Sequence, residues 1–280
     1  MQMNESKSNI AEHPTLSRLQ GKVTEFEVIR LLEKYRHHPT RPISISIDCN
    51  SFAWVNEADG ISPPGRLLSK EISLWSEAVG HRTVDTLLLC FPFRYLKPYE
   101  LTEVMHALAS RFSLSETSDR CHRVATHIDE INGDHVALLK GLGFNHYQIV
   151  LSRDDLEDIQ KIEEVTKLIR QYSFSGVGIQ IHDADCLDDL REHVIDVKTK
   201  VQPDYIYIGC LPKLLNREMV GGGAIIFDGE YDLEEDCINM GVEGTSYLQS
   251  LVLQNFCNPE RYVSALEAGK LPVNPGPLSL

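Results

Sequence analysis

Six short apolar runs alternate with amphipathic stretches along most of this chain, and that rhythm constrains the fold more than any other feature. The strand-like runs are ISISID (43–48), VDTLLLC (84–90), HRVATHI (122–128), HYQIVLS (146–152), GVGIQIH (176–182) and DYIYIGC (204–210). Most are rich in β-branched or apolar residues. The helix-like stretches between them lie near 66–78, 98–111, 133–142, 155–172 and 186–200, with a further helix over 24–36 in front. In 155–172 the residues Leu156, Ile159, Ile162, Val165, Leu168 and Ile169 recur at helical spacing. Strands that alternate with helices pair in parallel and are joined by right-handed crossovers. The expected fold class is therefore α/β, a partial (β/α)6 TIM-like barrel, with an open doubly wound sheet as the alternative. The rhythm breaks after Cys210. A closing segment (211–275) carries a strand near 224–227 and a helix near 259–268. Residues 1–22 read as a leader and 23–275 as one barrel domain.

Composition narrows the partners. With 41 acidic against 27 basic residues the formal charge is −14, so nucleic acid and anionic lipid surfaces are not expected partners. No apolar run approaches the ~20 residues of a membrane helix, and the polar start MQMNESKSNIAEH has no apolar signal core. Seven scattered cysteines without a C-x-x-C pair fit reduced thiols, and a cytoplasmic location is the expectation. A small molecule or a partner protein remains as the expected partner.

A parallel barrel carries its chemistry at the C-terminal ends of its strands. Those ends hold Asp48-Cys49-Asn50, Cys90-Phe91-Pro92, His127-Ile128-Asp129, Ser152-Arg153, His182-Asp183 and Cys210. Two constellations follow. His127 and His182 with Asp48 or Asp183, joined by Asp185, could act as acid and base or hold a divalent metal, the metal set being His127, His182 and Asp48. Cys49, Cys90, Cys186 and Cys210 could bind zinc or an iron–sulfur cluster if they converged, although free cysteine usually behaves as a small buried hydrophobe. The GGG at 221–223 lacks the spacing of a dinucleotide loop. EEDC and His37-His38 read as solvated, Trp75 as a packing residue, and Trp54 as packing or part of the mouth.

The loop after the first strand, RPISISIDCNSFAWVNEADG, resembles the cluster-binding loop of oxygen-independent coproporphyrinogen III oxidases, a radical S-adenosylmethionine (SAM) family. That pattern is R-P-hydrophobic-S-hydrophobic-Y-hydrophobic-H-I-P-F-C-x-x-x-C-x-x-C, whose cysteines hold a 4Fe–4S cluster. Aligned without gaps, the cluster positions fall on Phe52, Asn56 and Asp59, and the tyrosine falls on Ser46. The family's H-I-P-F reads Asp48-Cys49-Asn50-Ser51, and its G-G-G-T-P-x-Y-L reads Leu89-Cys90-Phe91-Pro92-Phe93-Arg94-Tyr95-Leu96. Its strand-three glutamate falls near Ala125, its glutamine on Ser152 and its strand-five aspartate on Gln180. LLKGLGFNHYQIVLS, Asn239-Met240-Gly241-Val242 and PERYVSALEAGKLPV extend the likeness over roughly 25–272, without the family's C-terminal helical domain. The resemblance implies the barrel fold. It also implies a chain stripped of cluster ligands and of most SAM contacts, so no cofactor is predicted, while a divalent metal stays open. Such a chain would be a binding or accessory protein, for a small ligand such as a tetrapyrrole or for an active partner enzyme. The alternative is a repurposed enzyme working through Asp48, His127, His182 and Asp183.

Overall fold

A computed structural model describes residues 25–37, 41–55, 62–118, 120–181, 187–208, 225–227, 236–248 and 251–274. The elements run α1 (Glu25–Arg36), β1 (Ile43–Asp48), α2 (Pro64–Val79), β2 (Thr83–Cys90), α3 (Pro92–Tyr95), α4 (Pro98–Arg111), β3 (Ser113–Leu114) and β4 (Cys121–His127). They continue with α5 (Gly133–Gly141), β5 (His146–Leu151), α6 (Ile159–Gln171), β6 (Gly176–Ile181), α7 (Leu187–Asp196), β7 (Tyr205–Ile208) and β8 (Ile225–Phe227). β9 (Cys237–Met240), β10 (Thr245–Leu248), β11 (Leu251–Asn255), α8 (Pro259–Glu267) and β12 (Val273–Asn274) complete the chain.

One sheet holds every described strand, in the order β12-β11-β10-β9-β1-β2-β4-β5-β6-β7-β8, with β3 beside β2. From β9 to β8 each neighbouring pair is parallel. β10, β11 and β12 extend the β9 edge antiparallel. Among the described residues β8 and β9 do not pair, so the arc stays open. This is the partial barrel expected from the strand–helix rhythm. The sequence did not place β9: it slots in parallel against β1, with Ile45 opposite Ile238.

Period-two alternation sorts the strand residues onto two faces. Ile43, Ile45, Ile47, Val84, Leu87, Leu89, Ile149, Leu151, Val177, Ile179 and Ile181 face outward and are buried under the helices. Against them lie Leu67, Leu68, Ile72 and Trp75 of α2, Leu101, Val104 and Leu108 of α4, and Ile162 and Ile169 of α6. Trp75 is a packing residue, as expected. Gly65 lets α2 meet α4 closely, since a Cβ there would sit 2.7 Å from Glu100 Cβ. The helix expected over 155–172 starts later. Asp158 caps it by accepting from Lys161 N at 3.0 Å, and Asp154–Glu157 forms a separate turn that buries Leu156. Thr166 joins the buried face, because its hydroxyl donates to Ile162 O. No described helix is long and apolar enough to cross a membrane. The leader, the GGG run, His38, Glu234, Glu235, Cys186 and Cys210 lie outside the described residues. Asp236 and Cys237, expected in a solvated run, are instead buried, because Cys237 opens β9 and Tyr35 Oη donates to Asp236 Oδ2.

A buried carboxylate ties the closing segment to the barrel. Glu71 of α2 is fully buried, and its oxygens accept from Gly241 N (3.0 Å), Asn255 Nδ2 (2.7 Å), Tyr262 Oη (2.6 Å) and Trp75 Nε1 (3.4 Å). One side chain thus joins α2, the end of β9, β11 and α8.

Candidate functional site

At the end of β1, Asp48 Oδ1 accepts from Asn50 N at 2.9 Å and starts a tight turn over Cys49–Phe52. Cys49 and Phe52 are both fully buried. Burial, with Cys90 and Asp48 nearby, pushes the Cys49 thiol up. The Phe52 ring lies between Trp54 (centroids 6.5 Å) and Tyr262 (6.1 Å, edge-on). Trp54 Nε1 donates to Ser51 O at 2.6 Å, so this tryptophan braces the turn. Gly241, at φ +106°, lies against Ser51 and the Asp48 carbonyl where a Cβ would collide. The turn is therefore fastened to the closing segment.

At the end of β2, Phe91 adopts a left-handed conformation (φ 51°, ψ 46°) and its N–H donates to Ala125 O at 2.8 Å. This is where the resemblance puts the last of three glycines. The backbone shape that suits glycine persists under a bulky side chain. Phe93 stacks on His135 at 3.7 Å, and Arg94 Nε bonds Glu130 Oε1 at 2.7 Å. The loop after β2 is thus clasped to the segment after β4.

The ends of β4 and β5 meet in one ionic cluster. His127 Nε2 lies 3.3 Å from Asp155 Oδ2, and its Nδ1 lies 3.5 Å from Asp129 Oδ2. Ser152 donates both its N (2.7 Å) and its Oγ (2.5 Å) to that Asp155 oxygen. Asp129 Oδ1 holds Lys161 Nζ at 2.5 Å, which pulls the carboxyl below its ordinary range and lifts the ammonium. One donor atom from each of His127, Asp129 and Asp155 lies within 4.8 Å of the other two, close enough to share a divalent cation. The order Ser–Asp–His is not that of a hydrolytic triad, where the histidine must touch the serine.

Inside the arc the strands present polar residues. Adjacent positions run Arg123–His146–Gly176 in one tier, Gln148–Gly178–Tyr205 in the next, then His127–Val150–Gln180–Tyr207. Arg123 Nη1 donates to Tyr207 Oη at 2.6 Å and to Gln148 Oε1 at 3.3 Å, and Nη2 donates to Cys121 Sγ at 3.4 Å. Its guanidinium lies 5.0 Å from the Tyr205 ring centre and 5.1 Å from that of Tyr207. Gln148 Nε2 donates to Gln180 Oε1. Gly178 leaves the space that the Tyr205 ring occupies. Burial, and then the Arg123 charge, keep His146 below its ordinary range.

Of the residues proposed from sequence, His127 joins the cluster. Asp48 does not: it caps its own turn, two strands away. His182, Asp183 and Asp185 lie outside the described residues, as do Asn56 and Asp59. Cys49 and Cys90 are neighbours. Sequence reasoning missed Asp155 and Lys161. The signal for Asp155 was Ser-x-x-Asp directly after a strand, a turn in which the carboxylate bonds back to the serine. It also missed Arg123, although strand parity with His127 already put it on the inner face.

No protein-family model matches the sequence, and no curated protein does. Solved structures match. Coproporphyrinogen III oxidase (HemN) from Escherichia coli, described as a radical SAM enzyme, superposes with TM-score 0.67 at 14% identity, over 95% of this chain and 77% of that one. HydG, a hydrogenase maturase, gives TM-score 0.35 at 13% identity, over 69% of this chain and 49% of that one. SuiB from Streptococcus suis gives 0.35 at 13%, over 78% and 53%. The likeness to coproporphyrinogen III oxidase is one of fold: an α/β partial barrel of the radical SAM type.

Proposed function

We propose that this chain is a binding protein on a radical-SAM-type barrel, which holds a small polar molecule at the inner face instead of a cluster and SAM. The observation that carries this reading is the lining of β4–β7. A barrel interior that only packs is filled by branched apolar side chains. Here it offers Arg123, His127, His146, Gln148, Gln180, Tyr205 and Tyr207. Polar groups in such a place need partners, and a ligand provides them.

The residues do not fit the family's cluster. Phe52, which the resemblance sets at the first cysteine position, has no donor atom, and its ring is enclosed by Trp54 and Tyr262. Asn56 and Asp59 bring hard ligands where an iron–sulfur cluster takes thiolate. The test is purification without air, with iron and acid-labile sulfide counted per chain and SAM binding measured by calorimetry. We expect neither iron–sulfide nor SAM at stoichiometric levels. A stoichiometric cluster that binds SAM would end this reading.

The His127–Asp129–Asp155 cluster supports a second reading, a repurposed enzyme with a metal or acid–base site at the mouth. Lys161 already neutralises one of its carboxylates, which weakens the case for a cation. Zinc and manganese titration of wild type and His127→Ala decides it: binding near 1:1 that the variant loses favours the enzyme, and no binding removes the metal form of it.

A further inference from the structure

We propose that Arg123 anchors the carboxylate of a small monoanionic ligand at the inner face of the barrel. This rests on the binding reading above and names the chemistry of the ligand.

A largely buried guanidinium is costly unless an acceptor meets its charge. Arg94 holds Glu130 at 2.7 Å, and the Lys161 ammonium likewise holds Asp129. Arg123 has no such partner among the described residues. Its acceptors are a phenol, an amide oxygen and a thiol, all neutral in their ordinary forms. Among the described residues its Nε–H has no partner, and neither does the buried Tyr205 hydroxyl. A guanidinium carries five N–H donors in a planar fork. The edge made by Nε and Nη2 meets only the Cys121 sulfur, a weak acceptor. That edge matches the two oxygens of a carboxylate. The flanking Tyr205 and Tyr207 rings hold the fork in one plane, and Tyr207 and Gln148 fix its far side. The site is thus preorganised for one planar anion.

Charge decides which anion. Among the described residues Arg123 is the one cation of this group, its bonded partners are neutral, and the chain carries −14 overall. That favours a monoanion over a phosphate dianion, which the field of the chain opposes.

Two measurements on the full chain test this. The first is saturation-transfer NMR with a panel of small monocarboxylates, each paired with its primary amide, and inorganic phosphate as the dianion. We expect at least one carboxylate to bind tenfold or more tightly than its amide. Arg123→Met should abolish that preference while retaining the wild-type circular dichroism. Equal binding of acids and amides, preference for phosphate, or a preference that survives Arg123→Met overturns the proposal and leaves the binding reading standing. No binding by any member overturns both. The second measurement is Gln148→Glu, which places a carboxylate where the amide oxygen now lies 3.3 Å from Arg123 Nη1. It should fold, melt roughly 2–4 °C above Gln148→Met, which loses the same bond to Gln180 without adding a charge, and exclude the carboxylate ligands. A melting temperature equal to or below that of Gln148→Met would mean that Arg123 already has its counter-charge, which also overturns the proposal.

Discussion

Glu71 offers the sharpest test of how the closing segment is held. Burial pushes its carboxyl up from 4.5 to about 7, against the pull of Tyr262, Gly241, Asn255 and Trp75. The folded state therefore keeps a proton that the unfolded chain has already released between those two values. The resulting stabilisation is fully present below pH 4.5 and is lost as pH rises through 7. In full it amounts to on the order of 3 kcal/mol, of which about 2.5 kcal/mol falls between pH 5 and pH 8. Glu71→Gln removes the titration but turns one acceptor oxygen into an amide donor. Urea unfolding, followed by fluorescence of the adjacent Trp75, should find it below wild type at pH 5 by about 1–3 kcal/mol. Between pH 5 and pH 8 it should gain about 2.5 kcal/mol on wild type. His122 and His146 are held below their ordinary range by burial, and they tilt the wild-type curve the other way. Those contributions cancel in the comparison. Glu71→Ala is different, because it leaves three close donors and one long one without an acceptor, at about 1–3 kcal/mol each before relaxation. It should be destabilised by several kcal/mol at both pH values. Parallel pH curves for wild type and Glu71→Gln would refute the argument from burial. A Glu71→Ala variant within about 1 kcal/mol of wild type would refute the four-donor network.

Three other substitutions probe the mouth and the inner face. Phe52→Ala should cost about 3–5 kcal/mol in urea unfolding, the usual cost of emptying a buried aromatic site; under about 1 kcal/mol would mean the turn is not part of the core. Phe91→Gly relieves a left-handed backbone and should leave stability unchanged or raise it by up to about 1 kcal/mol. A loss above about 2 kcal/mol would show that the ring itself holds the loop, through its contact with Arg94. Gly178→Ala drives a Cβ into the Tyr205 ring, so it should lower the melting temperature and shift the tyrosine near-UV circular dichroism. An unchanged spectrum would argue against the aromatic clamp on Arg123.

The barrel was legible because strands and helices in an α/β fold advertise themselves by period. All six expected parallel strands appear within a residue or two of their sequence bounds, apart from the ends of the fifth and sixth, which lie outside the described residues. β9 was not legible. CINM is four residues long, and its place beside β1 depends on a pairing across the whole chain that no local pattern encodes. The start of α6 shifted for a local reason, since Asp158 competed with the hydrophobic period as a cap. The candidate site was half legible. Strand-end logic found His127, but its carboxylates come from turns just beyond the strands, where Asp129 and Asp155 owe their positions to backbone bonds. Asp48 stands apart from that cluster, at the end of β1, where its carboxylate accepts from the Asn50 amide.

Phe52 and Arg123 show why the outer and inner faces of one strand set carry different information. On the outer face an apolar residue needs no explanation beyond packing, and Phe52 has been drawn into that same core through the turn after β1. Its burial between Trp54 and Tyr262 couples the turn to α8, while Glu71 couples α2 to the same helix through Tyr262. A substitution that opens this region is thus expected to loosen the closing segment rather than to empty a ligand site. On the inner face the reasoning reverses, because a charged side chain there is costly unless something meets it. Among the described residues Arg123, with its neutral partners and bare Nε, is the one on that face whose charge meets no carboxylate. Substitutions at Phe52 and at Arg123 should therefore separate: the first moves stability, the second moves what the barrel binds.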